Sequence, residues 1–256
     1  MSEPPIEADP HAPEPRRPAR RRGETGWGLR AAGYVGLVLL AVGLLALLAD
    51  PTRRTWTFTE RDTPVHALGL AMPLPEGGAW TIEEHAGATG GRALVNHVGD
   101  VPSGHAIAVT SSTPSGDLTI HTRCEPGEHD EAACGIVFGY RGPADFFLYR
   151  VDARADKVEL VRVEGTKTAA LTGLDEPIDP KTWQSLTVEI RGSRVRASRN
   201  GGDILEMENT AIASPGRVGL WAPSGGLAVF DELTLQPVSK DPDPLELLPI
   251  LSRGRG

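Results

Sequence analysis

Cysteine, aromatic rings and helical apolar periodicity are all scarce in this chain of 256 residues, which has two Cys and 5% aromatics. Two cysteines exclude a disulfide-dense scaffold. So few rings exclude a broad aromatic binding surface. No convincing amphipathic helix can be written after residue 50, so helix bundles and alternating α/β folds drop out. Basic charge is thin as well. The net charge is −8, and residues 1–30 hold six Arg against five acids, so the remainder carries −9. An acidic body argues against nucleic acid and anionic polymers as partners.

Chemical motifs are also sparse. The seven histidines (His11, His66, His85, His97, His105, His121 and His129) include no H-x-H or H-x-x-x-H pair, so no zinc site is expected. No Ser/His/Asp or Cys/His nucleophile set can be read along the chain. Glu206 and Glu208 share one face of a strand with Asp203 nearby. Their order and spacing differ from the paired carboxylates of retaining glucanases, and a solvent-facing strand edge is the expectation.

Several features are present in quantity. Gly and Pro, at 30 and 22, suit a loop-rich β fold. Residues 1–30 form a Pro/Arg-rich tail, disordered by composition, with Arg16, Arg17, Arg20, Arg21 and Arg22 clustered. Residues 31–49 are nineteen uncharged, almost wholly apolar residues. That length roughly matches a bilayer core at ~1.5 Å per residue, so a transmembrane helix is expected. The arginines before it place the N-terminus in the cytoplasm. The run exceeds a signal-peptide core, and Leu47 stands where cleavage would want a small residue. The expected address is therefore the cell membrane, single-pass, with the C-terminal domain extracytoplasmic.

From residue 54 the text is β-like. Predicted strands include Trp80–Glu84, His105–Thr110, Leu118–Arg123, Lys157–Val163, Arg194–Arg199, Ile204–Glu208, Arg217–Trp221 and Leu227–Leu235. The clearest is Ser185–Arg191, where Leu186, Val188 and Ile190 alternate with Ser185, Thr187, Glu189 and Arg191. Gly135–Tyr140 and Phe146–Val151 form a hairpin around Arg141-Gly142-Pro143-Ala144-Asp145, and Asn200-Gly201-Gly202 is a second hairpin turn. About a dozen short strands at regular spacing predict an all-β antiparallel sandwich over residues 54–237. A Pro-rich tail, 238–256, follows.

The ordered pieces Cys134–Tyr140, Phe147–Asp152, Trp183–Glu189, Asn200–Gly202, Gly216–Trp221 and Phe230–Leu233 resemble the concanavalin A-like lectin/glucanase jelly roll. More narrowly, they are similar to laminin-G-like and 3-keto-disaccharide-hydrolase-type bacterial domains. The resemblance implies a fold that serves lectins, adhesion modules and glycosidases alike. With no catalytic carboxylate motif, a carbohydrate- or ligand-binding module of the envelope is expected ahead of two alternatives: a glycoside-acting hydrolase of the 3-keto type, and a structural module binding a protein.

Expected ligand contacts are Tyr140 and Trp221, each beside a turn, with Arg141, Asp145 and Arg150 supplying hydrogen bonds. Turn chemistry and charge pairing are the competing account of those three. Cys124 and Cys134, ten apart at the ends of two predicted strands, are expected to pair outside the cytoplasm. Closing so short a loop contributes about 3 kcal/mol in the chain-entropy model. The loop holds Glu125, Glu128, His129, Asp130 and Glu131, oxygen-rich enough to suggest calcium. Its spacing matches no calcium loop, so a solvated acidic loop and no cofactor are expected.

Overall fold

The computed structural model describes residues 53–59, 70–71, 80–97, 99, 103–212 and 215–238. The expected cytoplasmic tail and membrane span lie outside these residues, as does the C-terminal tail beyond Val238. The described residues form an all-β antiparallel sandwich of two sheets.

In chain order the strands are β1 (Arg54–Thr57), β2 (Leu70–Ala71), β3 (Trp80–Glu84), β4 (Arg92–Asn96), β5 (His105–Thr110), β6 (Leu118–Glu125), β7 (Ala133–Gly142), β8 (Asp145–Asp152), β9 (Lys157–Glu164), β10 (Lys167–Asp175), β11 (Gln184–Arg191), β12 (Arg194–Arg199), β13 (Gly202–Glu208), β14 (Arg217–Pro223) and β15 (Val229–Pro237). The first sheet runs β13-β12-β11-β6-β15-β4-β3, with β1 also on β15, and the second runs β10-β9-β8-β7-β14-β5-β2. The expected hairpins form: β7 pairs β8 across Pro143-Ala144, and β12 pairs β13 across Asn200-Gly201. Asn200 and Gly201 both have positive φ, 52° and 75°, the backbone that Asn-Gly turns supply at least cost.

Alternation explains the layers. In β6, Leu118, Ile120 and Cys124 are buried while Thr119, His121, Arg123 and Glu125 are half-buried on the other face. Their buried partners in β11, Leu186, Val188 and Ile190, meet Ile136, Phe138, Tyr149 and Leu220 from the second sheet in one core. The second sheet is apolar on its outer face too. Ile107, Val137, Phe146, Leu148, Val161 and Trp221 form a separate buried cluster there. The outer face of the eight-stranded sheet differs: along β6 and β11 it is polar and half-buried, and a small apolar cluster of Ala93, Val95 and Val229 lies on it at β4 and β15.

Cys124 and Cys134 are bonded. Because Cys124 lies in β6 and Cys134 in β7, the bond ties one sheet to the other. The sequence reading passed over β10, Lys167–Asp175. Nearly all of it is exposed, so this sheet-edge strand carries no apolar alternation by which the sequence could reveal it.

Candidate functional site

The five residues expected to meet a ligand fall into two places. Tyr140, Arg150 and Trp221 share the outer face of the seven-stranded sheet. Both rings are 3% exposed and offer no face to solvent. The Trp221 indole N–H donates to His105 Nδ1 at 3.1 Å. Arg150 donates two hydrogen bonds to Glu159, at 3.0 and 2.7 Å. Arg141 and Asp145 sit at the hairpin end, Arg141 donating to the Ala211 carbonyl and Asp145 accepting from Arg162. Partners outside the β7–β8 hairpin therefore occupy both. Glu206 faces Arg196 at 3.4 Å and Glu208 accepts from Ser193 at 3.3 Å. In the stapled loop, Glu128 pairs with Lys181 and Glu131 with Arg154. Among the described residues no group of three His, Cys, Asp or Glu is arranged to hold a metal.

The polar face of the eight-stranded sheet gathers what the sequence left scattered. On adjacent strands, Ser185 lies directly across from Arg123, and Arg123 directly across from Glu232. His121, one pleat along β6, is diagonal to both, a separation that long side chains span. His121 Nε2 is 3.0 Å from Ser185 Oγ, and Nδ1 is 3.3 Å from Glu232 Oε1. The side chains of His121 and Glu232 are 29% and 26% exposed. A bulge helps build the row. The β15–β6 ladder skips Asp231 between Phe230 and Glu232, and such an insertion re-aims neighbouring side chains.

Asp231 anchors the upper rim. Its carboxylate, 1% exposed, accepts from Arg123 at 2.5 Å and from the Thr89 N–H and hydroxyl at 2.8 Å each. These bonds close the His85–Gly91 turn over the sheet. Arg123 also lies 5.0 Å above the Trp183 ring, and His85 meets the same ring edge-on at 5.4 Å. Next to this rim is a cleft of about 420 Å³, lined by Glu83, His85, His97, Glu125, Glu128 and Lys181 among others.

Electrostatics follow from burial. Burial holds His121 below the usual histidine value; Glu232 opposes this, and Arg53 and Arg123 add to it. Burial pushes the Glu125 carboxyl up, against His85, with Asp179 and Glu128 adding. At neutral pH the face therefore offers an uncharged His121 imidazole beside the Arg123 guanidinium. Such planar donors and acceptors can read hydroxyl groups.

Sequence reading missed this site because its members are far apart. Ser185 and His121 are separated by 64 positions. The available signal was alternation: it put Ser185 on the polar side of its strand, yet no sequence period reports which strands become neighbours.

No family model matches the chain, and no curated protein matches it in sequence. Solved structures share its fold. A carbohydrate-binding module, CBM66 from Bacillus subtilis, is 19% identical over 66% of this chain and 95% of its own length, with TM-score 0.52. A Bacillus subtilis protein of unknown function with a galectin-like fold is 15% identical over 72% of this chain and 94% of its own, with TM-score 0.51. A xylan β-1,4-xylosidase from Bacillus halodurans is 14% identical over 73% of this chain, with TM-score 0.53, and this chain covers 39% of it. At these identities the likeness is one of fold, an all-β antiparallel two-sheet sandwich.

Proposed function

We propose that this chain is a single-pass membrane protein whose sandwich binds carbohydrate outside the cytoplasm, using the polar face of the eight-stranded sheet and its adjoining cleft. The observation that carries the reading is the face itself. Arg123 and His85, partly exposed, pack on half-buried Trp183, Glu232 lies across the ladder from Arg123, and His85 also lines the 420 Å³ cleft. A site that orients sugars needs planar groups to exchange hydrogen bonds with hydroxyls and an apolar surface for the ring. CBM66, which shares this fold over nearly its whole length, is a carbohydrate-binding module. The apolar run at 31–49 and the Cys124–Cys134 bond support an anchored, extracytoplasmic placement.

A glycan array probed with the full chain in detergent tests the reading. Binding is expected for a restricted set of glycans, weakened at least tenfold in H85A and in E232Q. A chain that binds no glycan, or binds equally well with both substitutions, overturns it. Protease treatment of sealed, right-side-out vesicles tests the placement. The sandwich should be accessible from outside and the N-terminal tail protected.

A further inference from the structure

We propose that Ser185, His121 and Glu232 form an acyl-transfer centre that hydrolyses oxygen esters. Glu232 is an acceptor only, so a neutral His121 carries its proton on Nδ1 and donates it to the carboxylate, 3.3 Å away. Nε2 is then left with a lone pair, and the atom 3.0 Å from it is Ser185 Oγ. The serine hydroxyl donates to Nε2, and Glu232 fixes the tautomer that makes Nε2 the acceptor. Nucleophile, base and orienting carboxylate follow in the order that serine activation requires, a constellation recognised by geometry and not by sequence position.

The surroundings fit the role. The nucleophile is held: the Ser185 N–H donates to Asn200 Oδ1 and its carbonyl accepts from the Asn200 N–H, both at 2.8 Å. It is half-buried on an open sheet face, within reach of a ligand. The groups facing His121 are Glu232, Ser185, Arg123 and Arg53. Burial keeps the imidazole neutral at pH 7, the state a general base needs. Because the Ser185 N–H is committed to Asn200, charge on a tetrahedral intermediate falls to Arg123, directly across the ladder and fixed by Asp231. A single side-chain cation in place of the nucleophile's own N–H suits esters, whose alkoxide leaves readily, over amides.

Water is the co-reactant. Ser185 Oγ bonds to the ester carbonyl carbon as its proton passes to Nε2. The intermediate then collapses, the bond to the alkoxy oxygen breaks, and His121 returns the proton to the departing alcohol. Water, deprotonated by His121, then adds to the acyl carbon; the bond to Ser185 Oγ breaks, His121 returns the proton to Oγ, and the free acid leaves.

This inference goes beyond glycan binding and is tested apart from it. The full chain is treated with a fluorophosphonate probe and mapped by peptide mass spectrometry, and hydrolysis of 4-nitrophenyl acetate is followed in parallel. One adduct is expected, on Ser185. Hydrolysis should fall at least ~100-fold in S185A and in H121N, and about tenfold in E232Q. The rate should rise from acid pH to a plateau, with its inflection below the ordinary histidine value of ~6.5. S185C, which keeps a nucleophile, should be alkylated by iodoacetamide faster than S185C/H121N, and this separates chemistry from folding. An adduct elsewhere, or S185A hydrolysing at the wild-type rate, overturns the proposal. If wild-type protein binds glycans but takes no label, this inference alone fails. If it takes the label and binds no glycan, the carbohydrate reading alone fails.

Discussion

His105 and His121 sit on opposite faces of the sandwich and are governed by the same physics. Burial lowers both below the usual value, with Arg150 adding at His105 and the arginines near His121 adding there. The folded protein keeps both neutral, while the unfolded chain takes up protons near pH 6.5. Their contribution is therefore present above that value and is lost as pH falls through the folded values. The melting temperature should decline on acidification from pH 7 to pH 5, and H105Q should flatten the decline while still accepting from Trp221. Glu125 has the opposite sign. Its raised carboxyl value means that its charge opposes folding at neutral pH, so E125Q should melt higher at pH 7, the gap closing below about pH 4.5. Gly219 is constrained by space alone: a Cβ there would meet the Ala108 carbonyl oxygen at 2.0 Å, and G219A should not yield soluble folded protein. None of these environments was legible in the sequence, because each is made by a neighbouring strand.

Elements were far more legible than residues. Strict alternation in Ser185–Arg191 and the Asn200-Gly201 turn placed β11, β12 and their hairpins, since one buried face and one tight turn suffice to pin a strand. β10 escaped because exposure on both faces removes that pattern. The same exposure predicts tolerance: L171K, at a side chain 41% exposed, should change stability by no more than about 0.5 kcal/mol. The disulfide is the costly element. C124A/C134A releases the link between β6 and β7, a closed loop spanning ten positions, and should lose roughly 2–3 kcal/mol. For a domain of this size that lowers the melting temperature by about 5–10 °C, measurable by calorimetry.

At the scale of the whole molecule, two sheets of different character share one core. The seven-stranded sheet is apolar on both sides, and the rings once expected to meet a ligand are buried in it; the eight-stranded sheet keeps a polar outer face. Fold class could be read from composition and strand spacing. Which face is open could not, because strands buried on both sides and strands buried on one differ only in side chains that tertiary neighbours make use of. The strand order carries one more consequence. β14 lies between β7 and β5, and β15 joins β6 to β4 and β1, so both sheets take their bridging strand from Arg217–Pro237. A growing chain that has emerged only as far as β13 has two unfinished sheets with unpaired edges. Folding must wait for the last strands, its dominant contacts are distant in sequence, and it will be slow. Any premature stop or proteolytic trim before Arg217 leaves strand edges exposed to aggregation, not a smaller working domain.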